Sequence, residues 1–377
     1  GGLWYNDDIT DDYSAWVPVN DFWDNLTVSC ITYDPNNTET FYVGTGEAHT
    51  AITTYRESSG VGMGIFKTTD GGQTWEWIES TEDFKYINDI VIRTENDQSV
   101  IYTAVVSGKY KGVDHESLPS DGIYRSVDNG ENWEQVLPNI SGLDKPYAIS
   151  DMDIGADGRI YAGTMPDIDG NGGATILYSD PGTNGNWTVF DDYVSIIEDG
   201  YNYYLPGRVM VSAAPSDENI VYAVIAAGYV SSSNNFNYFH GNYILKSENK
   251  GATWQETNIP ENDPQWASIA WHALVIEVSP QDPDLFYVGG LDLHNTLNGG
   301  SNWSHVSDWA LMYYGGGDDY AHADQHIIKF NPLNPSEAIF GTDGGVFYTA
   351  NANSSDPVFE QKNHGYNTLQ FYTCAIY

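Results

Sequence analysis

One pattern recurs along the chain and sharply narrows the folds open to it. It runs apolar strand, Ser or Thr, one residue, Asp or Asn, Gly, and then Trp. Clean copies are KTTDGGQTWEWI (67–78), RSVDNGENWEQV (125–136), KSENKGATWQET (246–257) and NTLNGGSNWSHV (295–306). YSDPGTNGNWTVF (178–190) is a stretched copy, and WYNDDITDDYSAWVPV (4–19) and YTANANSSDPVFEQK (348–362) are degenerate ones. The anchoring aromatics are Trp16, Trp75, Trp133, Trp187, Trp254, Trp303 and Phe359. Short Ser/Thr and Asp/Asn side chains accept from backbone N–H groups a few residues on and so pin a turn. Asp70, Asp128, Asn249 and Asn298 hold that place, and the following glycines permit positive φ. Trp75, Trp133, Trp254 and Trp303 are then expected to lie over the hairpins and seal neighbouring sheets. These residues read as structural.

A second pattern interleaves with the first: an apolar strand, a Pro/Asp turn and an aromatic-rich strand. Copies are CITYDPNNTETFYVGTGE, MVSAAPSDENIVYAVIA, VIEVSPQDPDLFYVGG and IIKFNPLNPSEAIFGTDGG. Each unit therefore holds four short strands, and repetition of such units predicts an all-β propeller. No long 3.6-residue period appears, so little helix is expected. First strands start near residues 28, 88, 150, 208, 273, 325 and 370, which predicts seven blades. A strand at 369–377 would share the closing blade with the 2–19 hairpin. Part of a ten-bladed ring, or one half of a two-propeller assembly, is the alternative. Residues 1–377 read as a single propeller domain that begins and ends inside a repeat, as an excerpt of a longer protein would.

At these residues the chain resembles the Asp-box, or bacterial neuraminidase repeat, propeller superfamily. Within it the chain is most similar to the sortilin-type and secreted bacterial "glycosyl hydrolase, BNR repeat" group. YVGTGE (42–47) with GIFKTTDGGQTW (64–75), and ADQHIIKFNP with IFGTDGGVF (323–347) and LQFY (369–372), carry that likeness. The resemblance implies a secreted or cell-surface protein, some relatives being exported by the type IX route of gliding bacteria. It implies little about activity, because one fold hosts many functions.

Charge excludes one partner class. The chain has 53 acidic and 14 basic residues, a formal −39, which repels phosphate backbones and argues against nucleic acid. No apolar run reaches the length of a membrane span. Cys30 and Cys374 would lie on adjacent innermost strands if seven blades close, as one disulfide or two packed thiols.

Long loops rich in aromatic, acidic and His residues lie opposite the Asp-box turns: 46–60, 107–121, 166–173, 191–208 and 307–326. A binding surface belongs there. Three functional classes follow. In a binding module for glycan or another surface ligand, Trp266, Trp271, Tyr203, Tyr204, Tyr313 and Tyr314 offer stacking rings, with His326 beside the channel. In a glycoside hydrolase, two carboxylates flank the bond. Asp343 in GTDGG resembles the catalytic Asp context of the xyloglucan-cleaving two-propeller family, and Glu47 in GTGE does so more loosely. Sialidase chemistry needs an arginine cluster, and the chain has five Arg in all. In a metal-dependent role, Asp167, Asp169 and Asn171 match the first half of a calcium loop. Tyr178 stands where its bidentate Glu belongs, so a plain Asp/Gly turn is the competing reading. His322, Asp324 and His326 form a second cluster, with zinc ligation or hydrogen bonding near the channel as the alternatives.

Overall fold

The Asp-box segments close as hairpins held by their own side chains. In a computed structural model describing residues 2–20, 23–49, 60–317 and 319–367, Thr68 Oγ1 donates to Asp70 Oδ1 at 2.7 Å and accepts from Gly72 N–H at 3.0 Å. Asp70 Oδ1 accepts from Thr74 N–H at 2.9 Å. The same three bonds recur around Ser126 and Asp128, Ser247 and Asn249, and Thr296 and Asn298. The degenerate copy keeps Thr349 Oγ1 on Asn351 Oδ1 at 2.8 Å.

Six four-stranded antiparallel sheets result. Blade one holds Val28–Asp34, Asn37–Thr45, Ile65–Thr68 and Glu76–Trp77, and blade two holds Tyr86–Glu95, Gln98–Val106, Gly122–Ser126 and Glu134–Gln135. Blade three holds Ala148–Ile154, Ile160–Met165, Ile176–Ser179 and Thr188–Phe190, and blade four holds Leu205–Ala213, Val221–Val230, Asn237–Ser247 and Gln255–Glu256. Blade five holds Val275–Val278, Phe286–Gly289, Leu293–Thr296 and Ser304–Ser307. Blade six holds Gln325–Phe330, Ala338–Thr342, Gly345–Thr349 and Glu360–Gln361. The fold is thus an all-β propeller with six four-stranded blades among the described residues, not the seven expected. The seventh start, near residue 370, lies outside the described residues, as does Cys374. The 4–18 segment forms its own two-stranded sheet, Trp4–Tyr5 with Val17–Pro18. Trp16 N–H donates to His364 O at 2.8 Å and Gly2 N–H to Leu26 O at 2.7 Å, tying blade six to blade one.

First strands neighbour one another from blade one to blade six and line the axis. Side chains staple them. Asp89 Oδ2 accepts from Met152 N–H at 2.9 Å, Asp151 Oδ2 from Val211 N–H at 2.7 Å, and Asp153 Oδ2 from Ala213 N–H at 2.8 Å. Apolar residues fill the spaces between blades, as the cluster of Tyr222, Val224, Trp266, Leu274 and Phe286 does between blades four and five. The tryptophans close these seams from outside: Trp133 of blade two donates to Ser80 Oγ of blade one at 3.0 Å, and Trp303 of blade five to Asn258 O at 2.8 Å. Helix is scarce, as expected. An α-helix of about two turns, Asp192–Glu198, buries Tyr193 and Ile197 against the blade three–four seam.

Candidate functional site

Antiparallel order places the start of each first strand, the end of each second strand and the start of each third strand on one face. The Asp-box turns occupy the other. On the first face, blades five and six bring two imidazoles and two carboxyls together at the channel mouth. His326 leads the first strand of blade six, His272 leads into that of blade five, and Asp343 caps the second strand of blade six. The GTDGG turn sets Asp343. Gly344 N–H donates to Thr342 Oγ1 at 3.1 Å, and Gly345 adopts φ +105°. His326 Nε2 lies 2.7 Å from Asp343 Oδ1, and His272 Nε2 lies 3.5 Å from Asp343 Oδ2. The two rings meet edge to face at 4.8 Å and 81°. Burial raises the Asp343 pKa, but hydrogen bonds from both imidazoles outweigh it and hold the carboxyl well below its usual range. Asp324 goes the other way, raised by burial and by the Asp343 charge beside it. Burial lowers the His272 pKa, and the Asp343 bond and charge more than restore it, leaving it raised.

Arg208 braces this cluster from beneath. It is 5% exposed, and its guanidinium donates to Ala270 O at 2.7 Å and His272 O at 3.1 Å, fixing the strand entry that carries His272. Burial lowers its pKa to about 10 against the pull of Glu47. Glu47 sits on the same side of the ring, where its charge also favours the protonated form of His272. A cavity of about 10 Å³ lined by His49, Arg208, Phe239 and Trp271 lies alongside, room for no more than a water.

An aromatic row runs outward from the cluster over blade four. His272 contacts Trp271 at 5.5 Å, and Trp271 contacts Phe236 at 5.8 Å. Phe236 meets Tyr238 at 4.8 Å, Tyr238 stacks on Tyr229 at 5.6 Å and 19°, and Tyr229 meets Tyr203 at 5.9 Å. Each of these rings is partly exposed. Tyr203 Oη lies 2.8 Å from His240 Nδ1, and Tyr204 Oη accepts from Val230 N–H at 3.0 Å.

Other candidates are placed elsewhere. Trp266 is 1% exposed and donates to Gly241 O at 3.0 Å, so its ring is a core element rather than a stacking surface. Gly241 makes the room, since a Cβ there would lie 2.4 Å from that ring. Tyr313 and Tyr314 are exposed on the short 3₁₀ helix Trp309–Tyr314, beside a cavity of about 300 Å³ over blade six. Asp167 Oδ1 accepts from Asp169 N–H at 2.9 Å and Asn171 N–H at 2.8 Å, while Lys145 pairs with Asp169. These bonds close a turn whose Asp167 and Asp169 carboxylates lie beside the Lys145 ammonium. Asp324 and His326 join Asp343, whereas His322 turns aside and bonds Ala323 O at 3.0 Å. Residues 50–59 of the 46–60 loop lie outside the described residues.

His272, Phe236, Tyr238 and Tyr229 were not singled out from sequence. Their signal was positional: His272 and His326 both stand within a few residues of a first-strand start.

No protein-family model matches the chain, and no curated protein matches it. Among solved structures, the chain is similar to the GH74 xyloglucanase from Xanthomonas campestris, with 16% identity and a TM-score of 0.59, over 97% of this chain and 52% of that one. It is also similar to an ancestral GH74 enzyme, with 16% identity and a TM-score of 0.60, over 92% of this chain and 42% of that one. The chain therefore spans about half the length of these structures or less, and at this identity the likeness is one of fold. The protein shares its propeller architecture with propellers of glycan-processing enzymes.

Proposed function

We propose that the channel-mouth face of blades four to six is a carbohydrate-binding surface of an extracellular or cell-surface propeller. The aromatic row ending at the carboxylate–imidazole cluster carries this reading. Partly exposed rings in successive contact suit the apolar faces of sugar rings, and the charged cluster beside them suits hydroxyl groups. Trp271 and Tyr203 supply two of the rings, and His326 and Asp343 the polar end. The acidic surface suits a neutral polymer better than an anionic one. Affinity gels with xyloglucan, arabinan, mannan and pectin test the reading. At least one neutral polysaccharide should retard the protein, and Trp271→Ala should weaken the retardation about tenfold, roughly 1.4 kcal/mol. A protein that no polysaccharide retards would not be a carbohydrate-binding module.

One observation favours hydrolysis as a second reading. Asp343 is held ionised, and the charge of Glu47 also acts on His272. A pair of carboxyls flanking one glycosidic bond is the arrangement of a general acid and a base. On this reading, reducing ends appear when a retained polysaccharide is incubated with the protein and disappear with Asp343→Asn. Equal release by that variant ends it.

A further inference from the structure

Among the described residues, two groups of imidazole and carboxylate side chains bring ligand atoms within 4.8 Å of one another: His272, His326 and Asp343, and Glu261, His294 and His305. Ring geometry separates them. His294 and His305 stack nearly parallel, at 4.4 Å and 13°. Their in-plane lone pairs therefore run side by side and do not meet at a point. His294 is also 1% exposed in the blade five sheet, so it has little freedom to turn. His272 and His326 instead cross at 81° with both Nε2 atoms directed at one carboxylate. Lone pairs in perpendicular planes can converge on an ion about 2.1 Å from each nitrogen.

We propose that His272, His326 and Asp343 bind a divalent transition metal of the zinc class, with Asp324 beside them as a second carboxylate outside the three-residue donor set. Asp324 Oδ1 is buried and has no hydrogen-bond partner among the described residues. Asp324 also holds a left-handed backbone, φ +64°, that keeps it beside Asp343. Two imidazoles with one or two carboxylates suit zinc, cobalt or iron(II), and imidazole nitrogen disfavours calcium and magnesium. The Arg208 clamp on Ala270 O and His272 O gives the second support layer that such sites use. The side chains of His272, His326 and Asp343 are 26%, 36% and 46% exposed, so the ion would keep open positions toward the channel mouth. An ion there would offer those positions to oxygen donors of a ligand. The assignment rests on donor geometry and stands apart from the polysaccharide reading.

The test is zinc stoichiometry and affinity of the untagged protein, by elemental analysis after dialysis and by titration with ZnCl2 alone. Wild type should retain about one equivalent at this site. His272→Ala/His326→Ala should lose it, and Asp343→Asn, which keeps the side-chain volume, should bind at least about 100-fold more weakly. His305→Ala should retain it. The proposal is overturned if wild type binds no zinc, if the double variant and Asp343→Asn bind as wild type does, or if His305→Ala alone removes the ion. None of these outcomes depends on glycan binding.

Discussion

Ser126 Oγ donates to Asp128 Oδ1 at 2.8 Å and accepts from the Gly130 N–H at 2.9 Å, in a turn where Ser126 is 1% exposed. Alanine there would strand a buried N–H, a cost of about 1–3 kcal/mol. Ser126→Ala should therefore lower the denaturation midpoint, and Ser126→Thr should restore it, because Thr68 and Thr296 fill the same place in their own hairpins. An unchanged midpoint for Ser126→Ala would show that the hairpin does not need the bond. Such turn residues were legible in the sequence because each acts within five residues of itself. Trp266 was not, because its fate depends on Gly241 in a distant strand, which leaves the space its ring fills.

At the scale of elements, the seam between blades is closed by a side chain that the hairpin pins in place. Trp133 packs on Phe84 at 5.9 Å and bonds Ser80 Oγ of the preceding blade. Truncating a fully buried Trp costs about 3–5 kcal/mol. Trp133 is only partly buried, so Trp133→Ala should cost about 2–3 kcal/mol, read as a shift in the urea midpoint. A shift no larger than that of an exposed control such as Tyr201→Ala would remove Trp133 from the seam. Strand number and order within each blade could be read from periodicity and turn residues. The Asp192–Glu198 helix could not, since only Tyr193 and Ile197 turn inward and leave no extended pattern. The row of aromatics was half legible. Trp271 and Tyr203 stand in long loops, but Tyr229 and Tyr238 lie on paired strands, where a ring reads as sheet packing until the strand ends are located.

Across the whole molecule, the axis collects charge. Aligning the blade five and six repeats on Pro280 and Pro332 sets Glu277 level with Lys329, and the two pair at 2.8 Å. Burial raises Glu277 to about 7 and Asp89 to about 6, and raises Asp151 and Asp153 as well, with Lys329 opposing. Raised carboxyl pKa values mean that the native state holds protons the unfolded chain has released between about pH 4 and pH 7. Stability from these groups is present below that window and is lost as pH rises through it. Asp128, lowered first by its Asn132 bonds, acts oppositely and loses its contribution as pH falls below about 4. Thermal melts should thus peak near pH 4–5 and fall by pH 8, more steeply in Lys329→Met. A melting temperature that climbs steadily from pH 5 to pH 8 would contradict this. The channel-mouth cluster needed the same whole-ring view, because His272, His326 and Asp343 are up to 71 residues apart and meet only once the blades close. The central claim is that this cluster and its aromatic row form one ligand surface. Isothermal titration of neutral oligosaccharides into the wild type and into Trp271→Ala/Phe236→Ala tests it most directly. Saturable binding by the wild type is expected, with at least about a tenfold loss in a double variant that melts at the same temperature. Equal affinities in the two proteins would contradict it.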